Sequence, residues 1–217
     1  MTIAENVRQL KKIVPSSVRI LAAAKSQPIE KILEAIRAGI AIIGENYIQE
    51  AEEKFPFLKG KADFHCIGHL QTNKVSKAVK IFGMIQTVDS LKLAEALSRE
   101  CKKQNKTMPI LIEVNSAKEA QKNGAFPEEV ESLAEKISAL PNLSLRGLMT
   151  MGPVVKDPEQ LRLYFRLTKK LFDKLKSTHL TNTSIEILSM GMSDSFQAAI
   201  EEGATMVRLG AKIFGQR

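Results

Sequence analysis

Runs of β-branched and apolar residues alternate with helical patterns along the whole chain, and no other feature limits the possible folds so tightly. Strand-like runs occupy residues 18–25, 40–46, 63–70, 84–89, 109–115, 143–152, 184–190 and 205–210. Between them apolar residues recur at helical spacing, as in Ile29, Ile32, Leu33 and Ile36. The punctuation agrees. Pro28, Pro127 and the Asp157-Pro158 pair sit where helices begin, Ser90 and Ser193 where a side chain can cap one, and Gly39 and Gly203 where one stops. An amphipathic helix over residues 1–14 precedes the first strand.

Strict alternation requires parallel strands joined by crossover helices, which leaves an open doubly wound sheet or a closed barrel. Eight units of roughly 26 residues favour the barrel. A dinucleotide-binding sheet would carry a glycine fingerprint after its first strand, and Lys25-Ser26-Gln27-Pro28 is not one. The expected fold is therefore α/β, a single (β/α)8 TIM barrel domain over residues 1–217 with an extra N-terminal helix.

Composition excludes several functions. The longest apolar runs are strand-sized, so no membrane span is expected, and the first residues lack the apolar core of a secretory signal. A cytoplasmic protein is expected. Cys66 and Cys101 lie in different elements without metal-ligand spacing, which supports neither a disulfide framework nor a metal site. The formal net charge of +8 invites nucleic acid, but the lysines are spread over helix faces and the chain has two tyrosines and no tryptophan to stack bases. No nucleic-acid partner is expected.

In a (β/α)8 barrel the site lies at the carboxyl ends of the strands. Lys25, Glu45, Asn46, His69, Asp89, Asn115, Thr150, Ser189 and Arg208 fall there, and most of them would serve only as caps and loop ties. Lys25 follows Ala22, Ala23 and Ala24, and burial in such surroundings would lower an amine pKa from about 10.4 towards neutrality, giving the free base of a Schiff-base nucleophile. A lysine snorkelling from the rim is the plainer reading. After the seventh run, Ser189-Met190-Gly191-Met192-Ser193 offers hydroxyls and backbone N–H groups, and Gly210-Ala211 offers more after the eighth; these two loops commonly cradle phosphate in this fold. Arg208 and Gly210 share a strand face, which turns Arg208 into the barrel, where a carboxylate such as Glu45 or a ligand ring nitrogen could accept from it.

These segments resemble a known family. AAAKSQP around Lys25, IGENYIQEAEEK from Ile43, FHCIGHLQTNK from Phe64, QTVDS from Gln86, RGLMTMGP from Arg146, LSMGMSDSFQAAIEEG from Leu188 and MVRLGAKIFG from Met206 are together similar to the pyridoxal phosphate (PLP) homeostasis proteins. Those are fold-type III PLP binders related to the barrel domain of alanine racemase. The resemblance implies that Lys25 forms a Schiff base with PLP, that Asn46 lies near the cofactor ring, that Ser189, Gly210 and Ala211 hold the phosphate, and that Arg208 faces the pyridine nitrogen. Ala211 and Gln27 depart from the family's commoner threonine and lysine.

Two PLP-based functions follow from the resemblance. One is a carrier without robust catalysis that supplies the cofactor to apo-enzymes, expected to act as a monomer. The other is an amino-acid racemase, which needs a second acid/base opposite the lysine. Related racemases take that tyrosine from an added domain, whereas seven residues follow Gly210 here, so the carrier is preferred and no catalytic residue is assigned. Tyr47 is the candidate for a weak racemase-like side activity. A cofactor-free Schiff-base aldolase ranks lower, because its lysine usually comes from a later strand.

Overall fold

The computed structural model describes residues 1–155 and 157–216. The strands are β1 Arg19–Ala23, β2 Ile42–Glu45, β3 Asp63–Cys66, β4 Met84–Val88, β5 Met108–Val114, β6 Leu143–Thr150, β7 Thr183–Ser189 and β8 Met206–Leu209. They run parallel in sequence order and close into a barrel, with β8 pairing β1 in the register Leu21↔Arg208. The helices are α1 Ile3–Ile13, α2 Ile29–Arg37, α3 Ile48–Leu58, α4 Val75–Ile81, α5 Leu91–Lys103, α6 Val130–Ser138, α7 Arg162–Ser177, α8 Phe196–Glu201 and α9 Ala211–Phe214. The barrel and its leading helix are thus as expected. Thr2 caps α1 in a reciprocal box with Glu5, and Asn6 ties the helix to α9 through the Ile213 carbonyl at 3.0 Å.

Two-residue periodicity divides each strand between two cores. Leu21, Ile42, Met84, Leu111, Met149, Ile187 and Met206 face inward and fill the barrel. Ala22, Ile43, Ile85, Ile110, Ile112, Leu148, Leu188, Val207 and Leu209 face outward and pack under the helices. Each large apolar side chain buried in this way contributes about 1.5–3 kcal/mol relative to exposure. Among the described residues no helix is long and apolar enough to cross a membrane.

Two local expectations fail. The first strand stops at Ala23 rather than reaching Lys25: the Ala24 carbonyl accepts from Gln27 N–H at 3.0 Å, and Ser26 takes φ 58°, so the chain is already turning towards α2. Lys25 is consequently exposed, and the burial inferred from its alanine neighbours does not extend to it. Nor does Ser193 cap the following helix, because α8 begins three residues later at Phe196.

Candidate functional site

The barrel's mouth has a polar inner layer that the apolar residues below it support. Arg208, 3% exposed, points inward from β8, and its guanidinium donates to the Ser189 carbonyl, the Ser189 hydroxyl and the Thr150 carbonyl, each at 2.8 Å. The Ser189 hydroxyl in turn donates to Gln86 Oε1 at 2.7 Å, and Gln86 Nε2 lies 2.9 Å from His65 Nδ1. Burial, opposed by the nearby Glu113 carboxylate, pushes the Arg208 guanidinium down to about 10, so it remains charged at neutral pH. Burial likewise pushes His65 down to about 3, and that ring is neutral. Glu45, weighed above as a partner for Arg208, faces outward instead and pairs with Lys54 of α3 at 2.8 Å. Its place next after inward-facing Gly44 on β2 dictates that orientation.

Glu113 brings a second inward charge to this layer, 8% exposed at the top of β5. Burial, with a smaller contribution from Asp89, pushes its carboxyl up to about 7 against the opposing attraction of Arg208. The folded protein therefore holds this proton more tightly than the unfolded chain, whose carboxyl titrates near 4.5. The stabilisation is complete below that pH and is lost as pH rises through about 7. Glu113→Gln should abolish the loss, so that chemical denaturation from pH 5 to 8 shows the wild type falling relative to the variant by about 2–3 kcal/mol. Parallel stability curves would remove Glu113 from the titration.

Above this layer lies a cavity of about 380 Å³, a size suited to a small organic ligand. Lys25, Asn46, Arg208, Gly210 and Ala211 all line it, together with Ser193, Gln27 and the apolar Ile67, Met151 and Met192. The segments after β1, β2, β3, β6, β7 and β8 bring these residues together. Gly68 lets the β3 loop approach Asn46 closely, since a Cβ there would meet the Asn46 carbonyl at 2.2 Å. In the β7 loop, Gly191 takes φ 88° and packs against α8, where a Cβ would lie 2.5 Å from that of Ala199. The turn it makes aims Ser193 at the neighbouring loop, and the Ser193 hydroxyl accepts from the N–H groups of Gly210 and Lys212, each at 3.3 Å. A second cavity of about 500 Å³ shares Asn46, Ile67, Met151, Met192 and Asp194 with the first, and His69, Glu113 and Asn115 also line it.

Of the six residues singled out for the cofactor, five line this cavity; Ser189 does not. Its side chain is fully buried beneath the cavity, engaged by Arg208 and Gln86, and Ser193 occupies the position facing the Gly210 turn. Sequence reasoning also passed over Gln86, His65 and Glu113, although alternation along their strands sets each on the inward face. Tyr47 is 56% exposed where α3 begins and lines neither cavity. His69 sits beyond β3, 3.7 Å from Asp89, and Asn115 ties down its own loop through the Glu119 and Lys122 carbonyls.

A closed parallel barrel with an amine two residues beyond its first strand, an inward arginine on its last and a hydroxyl-bearing turn between strands seven and eight defines a class of small-molecule-binding (β/α)8 barrels. The family model for the alanine racemase N-terminal domain matches residues 1–217. A protein of Vibrio cholerae named pyridoxal phosphate homeostasis protein is 42% identical over 208 residues, covering 93% of this chain and 86% of that one. The structure of PipY from Synechococcus elongatus with PLP bound superposes with a TM-score of 0.90 at 32% identity, covering 99% of this chain and all of that one. An alanine racemase of Clostridium difficile shares the fold, with a TM-score of 0.82 at 16% identity, over 56% of its length. The chain belongs to the pyridoxal phosphate homeostasis protein family, within the wider group built on the alanine racemase N-terminal domain.

Proposed function

We propose that this protein binds PLP at the smaller cavity, holds it reversibly on Lys25, and serves as a cytoplasmic carrier that supplies the cofactor to apo-enzymes. One observation carries the reading: an exposed amine, a charged inward guanidinium and a serine-glycine turn line the same cavity of about 380 Å³. The naming of the relatives and the PLP held by PipY support it. When bound, PLP supplies an aldehyde that condenses with a primary amine and releases water. Lys25 offers that amine. Ser193 and the backbone N–H groups of Gly210 and Ala211, that of Gly210 now donating to the Ser193 hydroxyl, would receive the phosphate, with Ser189 acting from below through its bond to Arg208. Asn46 flanks the ring.

Arg208 would face the ring nitrogen and set the chemistry there. A guanidinium that stays charged offers no proton to that nitrogen, which weakens the ring as an electron sink and disfavours carbanion formation. No tyrosine lies among the described residues of the cavity to act as a second base. Both points favour a carrier over a racemase. The proposal includes a single barrel domain acting as a monomer. Buried, unbonded Cys66 and Cys101 suit a reducing compartment, and burial pushes the Cys66 thiol up to about 11.

Titration of the protein with PLP should produce a yellow species of one-to-one stoichiometry, and Ser193→Ala should retain PLP roughly tenfold less well for the loss of one phosphate contact. Unchanged retention would remove Ser193 from the phosphate end. A wild type that stays colourless would defeat the whole reading, and amino-acid racemisation at about 1 per second or faster would replace the carrier with an enzyme.

A further inference from the structure

We infer that Lys54, Glu50 and Glu45 are positioning residues that grip the backbone on both sides of Lys25 and thereby fix where its amine can reach. The inference deepens the proposed function and rests on Lys25 being the attachment point.

Lys54, on α3, is only 7% exposed, and its ammonium has found an acceptor for each of its three donors. One goes to Glu45 Oε1 at 2.8 Å and one to Glu50 Oε2 at 3.0 Å. The third goes to the main-chain carbonyl of Ala24, the residue before Lys25, at 3.0 Å. On the other side, the main-chain N–H of Ser26, the residue after Lys25, donates to the same Glu50 Oε2 at 2.6 Å. Two charged side chains one helical turn apart thus hold the peptide groups that bracket a single residue. Ala24 N–H adds a strand-type bond to the Gly44 carbonyl at 2.9 Å, beside Glu45.

The grip works against an opposing strain. Ser26 adopts φ 58°, a left-handed conformation disfavoured for a residue with a Cβ, and its bond to Glu50 braces that turn beside the Gln27 N–H to Ala24 carbonyl bond. An ammonium and the Glu45 carboxylate taken out of water are also a poor way to gain stability, since apolar residues of similar volume do as well or better. Glu45 is fully buried with one carboxylate oxygen lacking a hydrogen-bond partner, so the arrangement is not optimised for its own sake. Its product is a fixed peptide frame under a long, exposed side chain. Fixing the stem shrinks the volume the amine explores, which speeds its reaction with an aldehyde seated by the Ser193 turn and slows the reversal.

The test compares Glu50→Ala with Glu50→Gln in the full chain. Alanine removes the acceptor for Ser26 N–H; glutamine keeps a carbonyl oxygen in the same place. PLP is added, samples are reduced with borohydride at intervals, and mapping of the Lys25 peptide gives the rate of attachment and, after dilution, of loss. The thermal midpoint without PLP is measured in parallel. Glu50→Ala should retain PLP roughly tenfold less well at a temperature where it is fully folded, with Glu50→Gln within about threefold of the wild type. Lys54→Met, which severs the Ala24 bond, should share the alanine defect. Wild-type kinetics in Glu50→Ala would overturn the inference, as would equal defects in Glu50→Ala and Glu50→Gln, or a deficit that only follows loss of secondary structure. If the wild-type chain itself traps no PLP on Lys25, the proposed function falls, and that result is distinct from failure of the grip.

Discussion

Lys25→Ala, mixed with PLP and reduced with borohydride, should carry no cofactor on any tryptic peptide and should lose the long-wavelength absorbance of the wild type. The residue is exposed and follows the end of β1, so the substitution should leave stability within about 0.5 kcal/mol, and the defect can be read on folded protein. Loss of the covalent bond should weaken PLP retention at least tenfold, about 1.4 kcal/mol or more, leaving only the phosphate and ring contacts. Gln27, the other residue of this turn on the cavity wall, offers no amine to take over. Lys122 lines the larger cavity, where it donates to the Gly152 carbonyl at 3.1 Å and pairs with Glu119. Trapping that survives in Lys25→Ala, or that maps to another lysine, would overturn the assignment.

Arg208→Met should destabilise the fold by about 3–5 kcal/mol, a large part of the 5–15 kcal/mol typical of a native protein. Methionine resembles the arginine stem in volume but abandons the carbonyls of Ser189 and Thr150 and the Ser189 hydroxyl in a water-poor interior. It also removes the positive charge that offsets Glu113, whose carboxyl should rise further and stay neutral. Arg208→Lys should recover little, because one ammonium cannot match a planar fork that spans β6 and β7. Urea denaturation at neutral pH measures the difference. A loss below about 1 kcal/mol would mean that the guanidinium serves the ligand alone and not the barrel.

Much of the site was legible because it follows from position along single strands. The period-two pattern of Met206-Val207-Arg208-Leu209 aims Arg208 inward, and the end of the first apolar run marks Lys25. The same pattern should have exposed Gln86, which shares a face of β4 with Met84, and Glu113, which shares a face of β5 with Leu111. What misled was treating the apolar character of Ala22 to Ala24 as a property of the next residue. Burial belongs to the strand, and the chain leaves it at Ala23. Ser189 and Ser193 were indistinguishable for a different reason: they lie four residues apart at the end of one strand, and only the turn at Gly191 decides which hydroxyl faces the Gly210 turn.

The amino-acid order alone determined the eight strand-helix units with a leading helix, because alternation and turn chemistry are local and eight repeats favour a closed parallel barrel, while its ordered motifs marked the pyridoxal phosphate homeostasis family. The tertiary structure decided who meets whom: Arg208 with Ser189 and Thr150, Ser193 with Gly210, and Lys54 and Glu50 with the peptides flanking Lys25. Those pairings join residues up to 58 positions apart, and they depend on the stagger with which the barrel closes and on where each loop turns. Neither quantity is written in any single segment of the chain.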